Sequence, residues 1–594
     1  MKTIATASAA VRERISLYRF CKDDRGVMAF FMLAMFILML MFGGIAVDVM
    51  RYETRRVALQ QTMDRAALAS ASLKQGLVPK AVFDDYFAKA NLGAGVEMVD
   101  FATPTVVVDS NSTYRKVEAS AKVTSYNFFM HMMDVDTLES VNTTSAQQGV
   151  SQIEVILVLD VSGSMGDPDG SGSTKIAALR ASATKFVNTI KNLDTFNQVS
   201  IGIVPYNAQV NIPANLRQRY AVTNLATYDA VANAGFPNAN CIELAQSTYT
   251  TTALSTSTAY RMAAVADTES SSDGNVTVIS TGTNYVAPTT TNAVPSNNPL
   301  SRICNPTAVN QVALPSLSKT VVTNRIAALT HGGYTSIAIG MRWGVGLIDQ
   351  AARPIYTSLV APAEPAMAGR PADNTSTDTR KIIVLMTDGE HVETDNMPDA
   401  FKTGPSPIWR GADGNYAIQF STGGQALTGG ARPTCAINKN ATYFVNHLKT
   451  NTSTSCQAAA WLQTPVWTGS GTARQLDWSE VWRFLSIDYV ARQLYGRSNV
   501  SGTGYSTVID QFRDDYIAKA TLDTLLASNC AAAKTAGIEI YGIAFAAPAN
   551  GQSVINNCAS APKTNYYFNS TNGTALDAAF QQIATNISEL RLTQ

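Results

Sequence analysis

Charge is scarce in this chain. Of its 594 residues only 15% are Asp, Glu, Lys or Arg, and 45 basic residues cancel 45 acidic ones. Without a basic excess, nucleic acid is not an expected partner. Without an acidic tail, neither is a cationic one. Histidine is rarer still. His131, His331, His391 and His447 are scattered, and none has a second histidine four residues away, so a zinc-binding helix is unsupported. The sequence has no G-x-x-x-x-G-K-[ST] phosphate loop and no G-x-S-x-G nucleophile turn.

Charge is missing altogether from Val27 to Val47. At about 1.5 Å per residue such a run spans a hydrocarbon core of roughly 30 Å. A cleaved signal peptide is the alternative, but its apolar part is shorter and ends in a small-x-small site. An uncleaved transmembrane helix is therefore expected. Lys2, Arg12, Arg14, Arg19, Lys22 and Arg25 precede it, against Arg51, Arg55, Arg56 and Arg65 after it. That bias puts the N-terminus in the cytoplasm. Asp48, at the edge of the run, is expected to pair with Arg51 or face water. Of seven cysteines, Cys21 precedes the span and Cys241, Cys304, Cys435, Cys456, Cys530 and Cys558 follow it. An even number beyond the membrane suits an oxidising compartment, and proximity favours pairs 241–304, 435–456 and 530–558.

Five regions follow along the chain. Residues 1–26 form a basic cytoplasmic tail and 27–47 the transmembrane helix. Residues 48–148 read as a continuing helix plus a small antiparallel sheet. The helix rests on VALQQTMDRAALASASL, rich in good helix formers. The sheet rests on PTVVV and on YRKVEASAKV, where Val117, Ala119, Ala121 and Val123 alternate with polar residues. From 152 to 594 strands and helices alternate. IEVILVLD, VSIGIVPY, KIIVLMTDG and IEIYGIAF are apolar runs of the kind buried in parallel sheets. Thr174–Lys191 and a final segment carrying Leu576, Phe580, Ile583, Ile587 and Leu590 show helical spacing. The expected fold is α/β, a doubly wound, mostly parallel sheet. Two long insertions, at about 215–320 and 390–480, interrupt it. Both are too long to be structureless loops. Trp461, Trp467, Trp478 and Trp482 gather around the second, as a contact surface or, preferably, its private core.

Ligands of wound sheets bind beyond the carboxyl ends of strands. IEVILVLD ends there in Asp160-Val-Ser162-Gly-Ser164, and IIVLMT ends in Asp388-Gly389. Between them, GGYTSIAIGMRWG places Thr335 on a Gly-rich turn opening a helix, with Thr330 as the nearby alternative. Hydroxyls and carboxylates from separate strand ends suit a hard divalent cation, Mg²⁺ first and Mn²⁺ or Ca²⁺ otherwise. The expected metal residues are Asp160, Ser162, Ser164, Thr335 and Asp388, with a position left open for a partner protein's carboxylate. The competing reading makes each a helix cap or turn former. Two other readings stay open. One is a hydrolase in which Asp388 or His391 activates a bound water. The other is a disulfide-stapled scaffold with a vestigial site. His391 is otherwise expected at the surface.

The Asp-x-Ser-x-Ser motif with its later Thr and Asp resembles the metal-ion-dependent adhesion site of the von Willebrand factor A family. That resemblance covers about 153–213, 321–390 and 500–594, and implies adhesion or assembly rather than catalysis. The stretch DRGVMAFFMLAMFILMLMFGGIAVDVMRYETRRVALQQTMDRAALASA resembles the TadE/TadG-like proteins of tight-adherence (Flp-type) pilus systems. It implies an inner-membrane anchor, a periplasmic C-terminal part, and pilus or secretion components as partners. Gly26 is followed by Val27-Met-Ala-Phe-Phe31 with no acid, a departure from prepilin-like relatives that speaks against prepilin processing.

Overall fold

The computed structural model describes residues 24–73, 76–92, 99–110, 114–149, 151–223, 235–267, 284–288, 302–420, 440–450, 457–498, 505–513 and 516–589. Most of the basic tail, Cys21, Cys435 and Cys456 lie outside them, as does the expected 435–456 pairing. Two compact units emerge, Met1–Val150 and Ser151–Gln594.

The first unit is built on one uninterrupted helix, α1 (Asp24–Ala71). It is long and apolar enough to cross a membrane. Its early side chains, Phe30, Phe31, Met39 and Phe42 among them, are exposed. Its later part instead buries one stripe, Leu59, Met63, Ala66, Ala67 and Ala71. That stripe packs with Phe83 of α2 (Pro79–Lys89) onto an antiparallel sheet. The sheet comprises β1 (Val99–Phe101), β2 (Thr105–Ser110), β3 (Tyr114–Tyr126) and β4 (Thr137–Gly149), with β3 pairing to all the others. Val117, Ala119, Ala121 and Val123 of β3 are buried, as their alternation predicts. Strand β4 has no such alternation; its Thr- and Ser-rich sequence is held by full-length pairing with β3 from Tyr114↔Gly149 to Tyr126↔Thr137.

The second unit is centred on a six-stranded sheet. Its strands are β5 (Gln152–Asp160), β6 (Val199–Tyr206), β7 (Ala313–Ser316), β8 (Thr379–Thr387), β9 (Glu539–Phe545) and β10 (Tyr567–Ser570), in the order β10-β9-β8-β5-β6-β7. Five strands are parallel and β7 is an antiparallel edge, so the sheet is mixed. Pleating sends alternate residues of β5 to opposite faces. Ile153, Val155, Leu157 and Leu159 meet α3 (Lys175–Leu193), α4 (Lys319–Ala327) and α8 (Gly573–Glu589). Ile156 and Val158 meet α5 (Ile337–Ile348), α6 (Lys519–Thr535) and α7 (Ala549–Cys558). Cys530 of α6 and Cys558 of α7 are joined by a disulfide.

The two insertions share one core. Ala263–Ala266, Ile303 and Cys304 from the first pack with Ile408, Phe444, Trp461, Trp478 and Trp482 from the second. Cys241 and Cys304 are disulfide-bonded. The second contributes a five-stranded antiparallel sheet between Pro405 and Asp477. Trp478 and Trp482 stack 5.2 Å apart with Phe512 against both rings, so these tryptophans are interior. This packing continues through Phe512, and residues 313–316 of the first stretch form β7 of the central sheet.

Candidate metal centre

Strands β5 and β8 are parallel neighbours with Leu159 opposite Met386, so their carboxyl ends deliver Asp160 and Asp388 side by side. Asp160 is fully buried. Its Oδ1 accepts from the Ser162 amide at 2.8 Å, which closes the turn, and its Oδ2 accepts from Thr387 Oγ1 at 2.6 Å. The turn brings Ser162 Oγ to 3.2 Å from Ser164 Oγ, and Ser164 Oγ donates to Asp388 Oδ1 at 2.9 Å. The Gly-rich loop docks on this turn through Gly163 N–H to Gly333 O and Gly332 N–H to Val161 O. That docking carries Thr335 inward. A Cβ on Gly389 would lie 3.4 Å from Thr335 Oγ1 and 3.8 Å from Ser164 Oγ. All five residues expected from the sequence therefore converge. Thr330 does not join them; its amide and hydroxyl donate to Asn310 Oδ1.

Among the described residues, no group of three or more His, Cys, Asp or Glu is arranged to hold a metal. An ion at these strand ends would be held by hydroxyls with two carboxylates. This oxygen-only set fits a hard cation that keeps part of its water shell. Burial, reinforced by the charge of Asp388, pushes the Asp160 carboxyl well above its ordinary range. Burial also raises Asp388, opposed by Lys175. Lys175, the first residue of α3, places Nζ 2.9 Å from Asp388 Oδ2. With both carboxylates ionised, the single ammonium would leave a buried excess of negative charge that a bound cation would offset.

Lys175 and Thr387 belong to this cluster and sequence reasoning passed over both. Thr387 had a signal, as a hydroxyl preceding Asp388 at the same strand end. Lys175 looked like an ordinary first-turn residue of α3.

The surface expectation for His391 is wrong. Its side chain is buried, because the loop leaving β8 folds back over the start of α5. Nε2 accepts from the Ala338 amide at 2.9 Å, satisfying one donor that a helix start leaves open. An amide can only donate, so the ring proton sits on Nδ1 and points at Asp523 Oδ1, 2.6 Å away. Burial lowers the histidine's pKa, against the pull of Asp523. The folded state thus binds this proton less readily than the unfolded chain, and the ring's contribution to stability is complete above about pH 6.5 and declines below it. His391→Gln is expected to flatten the acid side of the stability profile, measured by denaturant titration from pH 7.5 downward. An unchanged slope would assign the acid sensitivity to other groups.

Asp388 is also fixed from behind. A Cβ on Gly551, in the first turn of α7, would lie 2.1 Å from Gly389 O. Gly551→Ala is therefore expected to push the 388–390 loop outward at a cost of about 1–3 kcal/mol. A thermal melt with and without Mg²⁺ reads both the stability loss and any weakened ion response. A melt identical to the parent's would show that the backbones tolerate the methyl.

No curated protein matches the chain. Among solved structures, the pilus adhesin SpaC from Lactobacillus rhamnosus GG is similar at 11% identity over 84% of this chain, with a TM-score of 0.28. The chain covers 35% of that protein's length. The vWF domain of the type V pili tip protein Mfa5 from Porphyromonas gingivalis is similar at 13% identity, with 74% of this chain and 96% of that one covered and a TM-score of 0.29. The PilB minor pilin from Streptococcus sanguinis gives 13%, 83%, 78% and 0.27 for the same quantities. Superpositions this distant bear on neither fold nor function. Residues 26–73, nearly all of α1 and the two residues after it, match the Flp pilus-assembly TadE/G-like family.

Proposed function

We propose that this is a bitopic inner-membrane protein of a Tad-type pilus system whose periplasmic unit binds a partner protein through a divalent metal. Residues 1–26 are cytoplasmic, 27–47 span the membrane, 48–148 form a stalk unit, and 152–594 form a doubly wound von Willebrand A-type domain. The family match at 26–73 supports the pilus assignment. The exposed apolar part of α1 supports the anchor, and the disulfides beyond it suit an exported domain.

One observation carries the metal reading. Asp160, Ser162, Ser164 and Asp388 arrive at two adjoining strand ends and Thr335 from the turn that opens α5. Bound there, Mg²⁺, or Mn²⁺ or Ca²⁺, supplies an open coordination position that a visiting carboxylate completes. The chain's own groups set the terms. The Ser162–Ser164 turn presents two hydroxyls, Asp160 and Thr387 brace it, and Lys175 balances part of the charge. Both nitrogens of His391 are engaged, one by an amide and one by a carboxylate, which disfavours the hydrolase reading in which this ring activates water.

The test is capture of envelope proteins by the detergent-solubilised full chain, with and without EDTA, and by Asp160→Ala. Loss of the same partner under EDTA and in the variant supports the proposal. Equal capture under all conditions removes the metal from the mechanism.

A further inference from the structure

The β3–β4 hairpin ends in a tip that the membrane-anchoring role of α1 leaves unexplained. Its short turn, Met130–Met133, exposes Met132 at 75% and Met133 at 49%, with Phe128 beside it at 64%. Exposed large apolar residues clustered this way mark a contact surface. The tip is not free in solution but seated on α1. The Phe129 ring lies so close to Gly44 that a Cβ there would be 2.3 Å from Cγ. One turn along the same helix face, the Asp48 carboxylate accepts from the amides of Phe128, Phe129 and Met130 at 3.2, 2.7 and 2.9 Å.

These contacts fix the tip's depth. Gly44 lies inside the uncharged Val27–Val47 run, three residues from its end. At about 1.5 Å per residue that is roughly 5 Å into the apolar zone, the depth at which interfacial segments sit. Backbone at that depth needs internal hydrogen-bond partners. Here Asp48 takes three amides, while those of Met132, Asp134 and Val135 donate to Phe129 O, His131 O and Met130 O. The exposed apolar surface of α1 at Met39, Phe42 and Val47 thus continues onto the hairpin. The exposed His131–Asp136 pair, 2.6 Å apart, is polar enough for the headgroup layer.

We infer that this tip is a second membrane contact, with Phe128, Met132 and Met133 inserted at the headgroup–acyl boundary of the leaflet that α1 leaves, latched to the span by Asp48. The inference rests on the reading of α1 as an anchor. It makes the stalk unit a body held on the bilayer at two points.

The test uses the full chain reconstituted in phosphatidylethanolamine–phosphatidylglycerol vesicles, with and without brominated acyl chains. The six native tryptophans lie at 343 and beyond, so each variant's added emission is read as a difference from the parent. Met132→Trp and Phe128→Trp are expected to add blue-shifted emission that brominated lipid quenches. Gln147→Trp, at the far end of β4, is expected to add red-shifted, unquenched emission. Phe42→Trp reports on the anchor itself. Quenching at 42 with none at 128 or 132 overturns the tip contact and leaves the anchor standing. No quenching at 42 overturns both. Protection of 128 and 132 from water without quenching assigns the tip to a protein neighbour and also overturns the proposal.

Discussion

Lys175→Met is expected to destabilise the metal-free protein by about 3–5 kcal/mol, the usual result of removing one partner from a buried ion pair. The Asp388 side chain is fully buried and that of Lys175 is 11% exposed, so the carboxylate left behind has neither counter-charge nor water. Millimolar Mg²⁺ is expected to restore most of the loss, because an ion at the strand ends supplies the missing charge. Denaturant midpoints of the full chain, with EDTA and with Mg²⁺, read both effects. Lys175→Met combined with Asp388→Asn is expected to recover stability without any metal. If the single variant is equally unstable with and without Mg²⁺ while the pair recovers, the cluster is a structural ion pair and not a cation site.

Asp160 gives the second large effect. Asp160→Asn keeps an acceptor for the Ser162 amide but removes the charge, and Asp160→Ala removes both. Either is expected to weaken Mn²⁺ binding by about 10–100-fold, the range seen when groups supporting a metal's ligands are lost. Mn²⁺ titration followed by electron paramagnetic resonance checks this without reference to any partner. Affinities equal to the parent's would place bound Mn²⁺ elsewhere.

What the sequence made legible follows from how locally each feature is encoded. Strands β5 and β8 stood out because burial on both faces demands unbroken apolar runs, as in IEVILVLD and KIIVLMTDG. Four of the five converging residues were readable because Asp160, Ser162, Ser164 and Asp388 stand at or just past the ends of apolar strands, and Thr335 because a Gly-rich turn precedes the start of α5. Strand β4 was not, since its partner β3, rather than its own Thr- and Ser-rich pattern, holds it in place. The roles of Lys175 and His391 were hidden for another reason. Each depends on a residue far along the chain, Asp388 at a separation of 213 and Asp523 at 132. No local period encodes such pairs. The expected surface position of His391 failed on the same ground, since nothing near DGEH announces an open amide at the start of α5.

The shared core of the insertions sets an order of events as the chain is made. Asp267 waits for the Ile487 amide, 220 residues later, and Arg302 for the Trp482 carbonyl, 180 residues later. Closing loops this long costs only a logarithmically growing entropy, so the finished core loses little stability by it. Speed is what suffers, because distant contacts form late. As the polypeptide is synthesised in sequence order, the residues around Cys241, Ala263–Ala266 and Cys304 emerge before the tryptophans that cover them. Until they arrive those residues are an uncovered apolar surface with unpaired thiols, and that interval is when the chain is most open to wrong association.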